Sequence, residues 1–97
     1  MQWAPYLYHN CWMDEPFCEF NYVFVHYCSS DWWAGDSDAE NNTAGMHFRG
    51  RNIVRAVFEE LIATTELKSA EQIVFWGTSA GGVGALNNAD RIGEYLY

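Results

Sequence analysis

Towards its C-terminal end the chain passes from a short apolar run directly into a glycine-rich stretch, Ile73-Val-Phe-Trp-Gly-Thr-Ser-Ala-Gly-Gly-Val-Gly84. The β-branched and aromatic residues at 73–76 favour a strand, and the apolar residues spaced along the sequence after Ser79 favour a helix. A strand that turns at once into a helix brings backbone close to backbone, and glycine is the residue that tolerates such an approach. The stretch therefore predicts a sharp strand–turn–helix junction with Ser79 at its tip.

The segment Gly77-Thr-Ser-Ala-Gly81 matches the pattern Gly-x-Ser-x-Gly, which in this setting is typical of a nucleophile elbow. Such a turn holds the serine in a strained backbone conformation, and we expect Gly77 and Gly81 to prevent collisions with neighbouring backbone. We predict that Ser79 is a catalytic nucleophile and that the backbone N–H of Ala80 is one oxyanion donor. The alternative is a plain glycine-rich turn that contains a serine.

Two other uses of these glycines fit less well. A phosphate-binding loop requires Gly-Lys followed by Ser or Thr, and this stretch contains no lysine. A dinucleotide-binding fingerprint requires a third glycine, which is missing after Gly82-Val-Gly84. The serine motif is therefore the interpretation that the glycines favour.

The rest of the chain predicts alternating strands and helices. Residues 20–28 are apolar almost throughout and rich in β-branched and aromatic residues, which is typical of a strand covered on both faces. The polar residues at 29–45 predict a long loop, and residues 46–64 an amphipathic helix. The order strand, loop, helix, strand, turn, helix is a βαβα unit, so we predict an α/β fold with a parallel sheet. Residues 1–19 show no clear period and predict irregular structure.

Each predicted helix carries one apolar stripe, which we expect to face the sheet. The stripe of the first helix consists of Ile53, Val54, Val57, Phe58, Leu61 and Ile62. The stripe of the second consists of Val83, Leu86, Ala89, Ile92 and Leu96. The charged residues of the first helix fall largely off its stripe and predict a solvated face: Arg51, Arg55, Glu59 and Glu60.

Composition restricts the partners of this chain. Its 97 residues carry a formal net charge of −8, which disfavours binding to nucleic acid or to an anionic lipid surface. No apolar run reaches the roughly 18 residues of a membrane span, and the first residues lack the pattern of a signal peptide. The segment Asn41-Asn42-Thr43 matches the acceptor sequence for N-glycosylation, which weakly favours secretion.

The three cysteines, Cys11, Cys18 and Cys28, do not predict a metal site, because they form no Cys-x-x-Cys pair and no tight Cys/His cluster. Their odd number leaves at least one cysteine without a partner inside the chain. Buried or free thiols and a disulfide framework are both open at this point.

Several segments, taken in order, resemble the pectin acetylesterase and Notum carboxylesterase family. Trp76-Gly-Thr-Ser-Ala-Gly-Gly82 resembles the nucleophile segment of that family. Tyr27-Cys-Ser-Ser-Asp31, followed by Trp33 and Gly35, resembles a segment that precedes it in the family. Three further segments resemble the family at suitable spacing: Glu15-Pro16-Phe17 with Asn21, His47-Phe48-Arg49-Gly50, and Asn88-Ala-Asp-Arg91.

This resemblance implies an α/β-hydrolase-like, three-layer fold and a secreted carboxylesterase with a serine triad and no metal or organic cofactor. It matches Ser79 to the nucleophile and the N–H of Ala80 to one oxyanion donor. The implied substrate is an acylated, pectin-like polysaccharide or an acylated protein.

The sequence departs from the family pattern in its catalytic partners. It lacks the Gly-Gly-Trp segment that supplies further oxyanion donors upstream. No histidine follows Ser79, and Asp90, which does follow it, matches a structural position within the second helix. We therefore expect residues 1–97 to be a partial α/β-hydrolase-like domain, an internal fragment that is inactive alone, with the triad acid and base outside it. The histidines, which we interpret as structural or surface residues, all precede Ser79: His9, His26 and His47.

The polar loop at 29–45 carries three more residues of interest. Trp32 and Trp33 either line a pocket for a sugar or an acyl chain, or pack beneath their own loop. We expect Asp31 to accept hydrogen bonds from loop backbone rather than to act in catalysis.

Overall fold

The computed structural model describes residues 19–97, in which two α-helices are the main elements. Helix α1 spans Gly50–Thr64 and helix α2 spans Ala80–Leu96, with short 3₁₀ helices at Asn41–Thr43 and Leu67–Ser69. Both predicted helices are therefore confirmed, although the first begins at residue 50 rather than 46. Within this part of the chain, neither helix is both long enough and apolar enough to cross a membrane. All but the last residue of the predicted irregular segment 1–19 lie outside the described residues.

The predicted α/β fold with a parallel sheet, and with it the three-layer architecture, is wrong. Residues 19–97 contain no strand, and their only β pairing is one isolated antiparallel bridge between Ser37 and Phe48. The predicted strands at 20–28 and 73–76 hold no regular secondary structure. A β-rich composition describes side chains that suit a pleated surface, but a strand exists only where another segment pairs with it in register. Neither segment finds such a partner in the described chain, and several of their apolar residues are exposed: Val23, Phe24, Val74 and Trp76.

The buried core lies between the two helices and the first part of the loop that precedes α1. Within residues 19–97, the buried apolar side chains of this core are Trp33, Val54, Phe58 and Ile92, and partly buried ones surround them: Val25, Ile53, Leu67, Tyr95 and Leu96. Phe75, from the second apolar run, meets the ring of Phe58 edge to face with 5.6 Å between ring centroids. A loop tryptophan, rather than a sheet, therefore supplies the residue on which the helices pack.

The same loop completes the first turn of α1. The N-cap residue, Arg49, makes no capping hydrogen bond with its side chain. Instead, the N–H of Gly50 donates to Oδ2 of Asp31 at 2.7 Å, and the N–H of Arg51 donates to the carbonyl oxygen of Gly35 at 3.2 Å. These N–H groups are among those that a helix leaves without an intrahelical acceptor. The loop thus fixes where α1 begins.

The predicted stripe is confirmed on α1 and partly wrong on α2. On α1, Val54 and Phe58 are buried, and the four charged residues face solvent as expected. On α2, Leu86 is 82 % exposed, and the buried face consists of Gly84, Asn88 and Ile92. Hydrophobic spacing misses this face because a glycine and an asparagine form most of it.

Asn88 is buried without leaving its donors unpaired. Its Nδ2 donates to the carbonyl oxygen of Trp33 at 3.0 Å and to that of Gly84 at 2.8 Å. A buried amide with both N–H groups paired avoids the desolvation cost of an unsatisfied donor. Asn88 therefore links α2 to the loop through Trp33, whose ring packs in the core.

Replacement of Gly84 by alanine is expected to lower the free energy of unfolding by about 1–3 kcal/mol, because it overpacks the core. A Cβ at this position would overlap the ring of Trp33 and lie 2.9 Å from its Cβ, an atom that cannot move without the loop backbone. Urea denaturation followed by circular dichroism measures the change. The matched control is Gly93→Ala, also on α2, where a Cβ meets no atom within 4 Å; it should stabilise the helix by about 0.5–1 kcal/mol. Equal effects of the two substitutions would contradict the packing of Trp33 on Gly84.

Candidate active site at the start of helix α2

Ser79 occupies a strained position at the start of α2. It is the N-cap residue, with φ 53° and ψ −124°, and it is exposed. A positive φ is uncommon in a residue that carries a Cβ and costs about 1–3 kcal/mol where the surrounding structure imposes it. The predicted strain and exposure at Ser79 are therefore confirmed, although no strand leads into the turn.

The two glycines of the motif are not equivalent. A Cβ on Gly77 would overlap the carbonyl group of Gly81 and lie 2.8 Å from the nitrogen of Gly82, closer than real Cβ atoms come to other atoms. A Cβ on Gly81 would meet no atom within 4 Å. The predicted steric requirement is thus confirmed at Gly77 and wrong at Gly81. The reason is that the first turn of α2 presses its backbone against residue 77, whereas the Cβ direction at residue 81 points into open space.

The first turn of α2 leaves one backbone donor open. The N–H groups of residues 81, 82 and 83 donate to the carbonyl oxygens of Thr78 and Ser79 at 2.9, 3.0 and 3.2 Å. The N–H of Ala80 has no acceptor among residues 19–97. It belongs to the residue directly after Ser79 and lies at the positive end of the helix dipole. An N–H in this position is able to stabilise negative charge that develops beside Ser79.

No base is paired with the hydroxyl of Ser79 in the described part of the chain, where that group makes no hydrogen bond. His47 lies in the exposed loop before α1, with Nδ1 3.7 Å from Oδ1 of Asp38. His26 is exposed and contacts an aromatic ring. His9 lies outside the described residues. The structure thus brings neither described histidine to the serine.

Two carboxylates follow Ser79 on α2, and the sequence pattern of the family draws attention only to Asp90. Glu94 is the other, and a count of the acidic residues after Ser79 is enough to find it. Both are exposed, and neither makes a hydrogen bond or ion pair within residues 19–97. At 1.5 Å per residue, Asp90 lies about 16 Å along the helix axis from Ser79, and Glu94 lies farther. Neither carboxylate reaches the serine from these positions.

Asp31 is the centre of the hydrogen bonds that hold the loop before α1. Its Oδ1 accepts from Oγ of Ser29 at 2.6 Å and from the N–H of Trp33 at 3.1 Å. Its Oδ2 accepts from the N–H groups of Gly35 and Gly50, at 3.1 and 2.7 Å. Partial burial raises the pKa of the Asp31 carboxyl, but the four hydrogen bonds together outweigh it and lower that pKa below its ordinary value of 3.8. The prediction that Asp31 binds loop backbone is confirmed.

Replacement of Asp31 by asparagine is expected to lower the free energy of unfolding by roughly 2 kcal/mol at neutral pH, because charged acceptors are lost. The pKa of Asp31 is lower in the folded state than in the unfolded state, so its ionised form stabilises the fold above about pH 4. This stabilisation disappears as the pH falls from about 4 through the folded pKa. The difference in free energy of unfolding between the wild type and the variant should therefore become smaller over that pH range. Urea denaturation at a series of pH values measures it, with Asp90→Asn as the exposed control. A difference in free energy of unfolding that does not change with pH would contradict stabilisation by the ionised carboxylate of Asp31.

The two adjacent tryptophans have different surroundings. Trp33 is 6 % exposed, packs in the core and stacks on Tyr27 with 5.3 Å between ring centroids. Of the two alternatives, packing beneath the loop therefore applies to Trp33. Trp32 is 57 % exposed, and its N–H donates to the hydroxyl of Tyr27 at 2.7 Å. Both tryptophans have a positive φ, 59° and 60°, so the loop turns sharply to point one ring inward and leave the other exposed.

Within residues 19–97, no group of three His, Cys, Asp or Glu side chains is placed to hold a metal ion. Cys28 carries a free, exposed thiol. Cys11 and Cys18 lie outside the described residues.

Comparison with known protein families shows which family the chain belongs to. The sequence profile of one family, described as pectinacetylesterase, matches residues 3–97, which is almost the whole chain. The chain belongs to the pectinacetylesterase family. The resemblance found in the individual segments is thereby confirmed.

Curated proteins that are similar to this chain include palmitoleoyl-protein carboxylesterases named NOTUM. The protein of Schmidtea mediterranea is 38% identical over 80 residues, covering 82% of this chain and 15% of its own length. The human protein is 43% identical over 77 residues, covering 78% of this chain and 15% of its own length. The Drosophila melanogaster protein is 36% identical over 80 residues, covering 78% of this chain and 12% of its own length. No solved structure shows a significant match to the chain.

The pectinacetylesterase-family chain described here thus spans about 15% of the length of the first curated relatives that it matches. Within that span it carries the serine turn, the helix that follows it, and the loop anchored by Asp31.

Proposed function

We propose that this chain supplies the nucleophile of a serine carboxylesterase, with Ser79 as the attacking residue and the N–H of Ala80 as one oxyanion donor. The observation that carries the proposal is the exposed Ser79 at φ 53°, held at the start of a helix in a member of the pectinacetylesterase family. The open N–H of Ala80 supports it, since that donor has no other acceptor among residues 19–97.

In the proposed reaction, Oγ of Ser79 forms a bond to the carbonyl carbon of an ester and loses its proton to a base. The carbonyl oxygen becomes negative and accepts a hydrogen bond from Ala80. The bond from the carbonyl carbon to the alcohol oxygen then breaks, and the alcohol leaves with a proton. Water attacks the resulting acyl-serine, releases the carboxylic acid and restores the hydroxyl. We propose that the base and the acid of the triad lie outside this sequence, because the family resemblance implies that both follow the nucleophile and no histidine follows Ser79.

Two classes of ester are proposed as substrates, and they differ in the acyl chain. The family description, pectinacetylesterase, supports an acetyl group on a pectin-like polysaccharide. The names of the curated relatives support a fatty acyl group on a protein. Membership of the pectinacetylesterase family and the N-glycosylation acceptor sequence at Asn41 support secretion, so we propose that the protein is secreted.

Ester hydrolysis tests this proposal in the longest natural chain that contains these residues. The assay compares short and long p-nitrophenyl esters, acetylated pectin and a palmitoleoylated peptide. Saturable hydrolysis of at least one ester is expected, and a preference for acetyl or for long acyl chains decides between the two substrate classes. Absence of hydrolysis for every ester would contradict the proposal.

The second candidate function is a binding domain that takes up an ester without turning it over. The observation that favours it is the hydroxyl of Ser79, which has no base beside it within residues 19–97. A serine without a base is a weak nucleophile at neutral pH. This candidate predicts ligand binding that is unchanged in Ser79→Ala, together with no hydrolysis.

A further inference from the structure

The segment Asn41-Asn42-Thr43 lies at the tip of an exposed loop. Ser37 and Phe48 exchange two backbone hydrogen bonds, at 2.8 and 2.9 Å, and so close the loop formed by residues 38–47. Every residue of that loop is exposed except Thr43, which is half-buried. None of its residues belongs to the buried core. A bulky group attached at its tip would therefore extend into solvent without displacing packed side chains.

The turn at the tip is built without the side chain of Asn41. The hydroxyl of Thr43 accepts from the N–H of Glu40 at 2.8 Å and donates to the carbonyl oxygen of Glu40 at 3.0 Å. The N–H of Gly45 donates to the same carbonyl oxygen at 3.0 Å, and Asn41 contributes its backbone carbonyl as acceptor for the N–H of Ala44. The side-chain amide of Asn41 makes no hydrogen bond within residues 19–97. Modification of that amide would leave every contact of the turn in place.

We propose that Asn41 is an N-glycosylation site. The reaction joins Nδ2 of Asn41 to the anomeric carbon of an oligosaccharide, breaks the bond from that carbon to the diphosphate of a lipid-linked donor, and releases one proton from Nδ2. The acceptor needs a hydroxyl residue two positions later, which Thr43 supplies, and a central residue other than proline. The proposal rests on the secretion proposed above, because the donor and its transferase act in the secretory pathway.

Asn42 provides an internal comparison for this site. It is adjacent to Asn41, exposed like it and in the same 3₁₀ turn, but the residue two positions after it is Ala44. Chemistry and exposure are thus matched at two neighbouring asparagines, and only one of them meets the acceptor rule. No other asparagine of the chain meets the rule either.

The test directs the longest natural chain that contains these residues through the secretory pathway of insect cells, with a cleavable leader. Secreted protein is treated with peptide N-glycosidase in heavy-oxygen water, which marks each formerly glycosylated asparagine as labelled aspartate. Mass spectrometry of the peptide that contains Asn41 and Asn42 reads the modified position directly. We expect label at Asn41 and none at Asn42.

Variants separate the acceptor rule from effects on folding. Asn42→Gln and Thr43→Ser should keep the modification at position 41, while Asn41→Gln and Thr43→Val should lose it. An unmodified Asn41 in secreted wild-type protein would overturn the proposal, as would label at Asn42. Labelling of Ser79 by a fluorophosphonate is read on the same material, so failure of the glycosylation proposal and failure of the esterase proposal are distinguished.

Discussion

Replacement of Ser79 by alanine is expected to lower kcat for ester hydrolysis by on the order of 10⁵–10⁶-fold, as loss of a serine nucleophile does in other serine hydrolases. The substitution removes the atom that forms the acyl-serine. It should leave helix α2 intact, because the side chain of Ser79 makes no capping hydrogen bond. The measurement is the rate of p-nitrophenyl ester hydrolysis in the longest natural chain that contains these residues.

The matched control for Ser79→Ala is Thr78→Val. Thr78 is the adjacent exposed residue, and its backbone carbonyl, rather than its hydroxyl, accepts the hydrogen bond that starts α2. Its replacement should change kcat only by a small factor. Hydrolysis that persists in Ser79→Ala, or that is lost equally in Thr78→Val, would show that the reaction does not depend on the hydroxyl of Ser79.

Replacement of Gly77 by alanine is expected to lower the activity by about 100-fold or more, because it displaces Ser79 from its position. The added Cβ would overlap the carbonyl group of Gly81, which is backbone and cannot rotate away as a side chain would. The turn must open to relieve the overlap. Ser79 lies midway between the two overlapping residues, Gly77 and Gly81, so it should move with the turn. The rate of ester hydrolysis measures the effect, and the helical circular dichroism signal shows whether α2 itself is retained.

Gly81→Ala is the matched control for Gly77→Ala. A Cβ on Gly81 meets no atom within 4 Å, and alanine is favoured over glycine inside a helix. Activity should therefore stay within a few-fold of the wild-type rate. If Gly81→Ala lowers the rate of ester hydrolysis as much as Gly77→Ala does, the close approach of backbone to Gly77 is not the reason that the motif requires glycine.

The local features of the site could be predicted from the sequence because each depends on a few neighbouring residues. A serine between a glycine and small residues, directly before a helical stripe, predicts a strained turn, and Ser79 has φ 53°. The polar, acidic loop before α1 predicts backbone hydrogen bonding by Asp31, and four donors reach its carboxylate. In both cases the interacting groups lie within a short stretch or at the start of the next helix.

The sheet could not be predicted correctly because strand pairing is not a property of one segment. Residues 20–28 and 73–76 have the composition of buried strands, but pairing depends on what other segments bring into register. The buried face of α2 was missed for a different reason. Gly84 is buried because the side chain of Trp33 packs on it, and Asn88 is buried because its side-chain amide donates a hydrogen bond to the backbone carbonyl oxygen of Trp33. Hydrophobic spacing contains no information about either contact.

The most direct test of the account is covalent labelling of Ser79 by a fluorophosphonate, mapped by mass spectrometry in the longest natural chain that contains these residues. The probe reacts with a serine only where a base and an oxyanion site activate its hydroxyl. We predict one phosphonylated peptide, carrying the modification at Ser79, and loss of that label in Ser79→Ala. Absence of label at Ser79 under conditions that label a control serine hydrolase, or label on another serine instead, would contradict the assignment of Ser79 as the nucleophile.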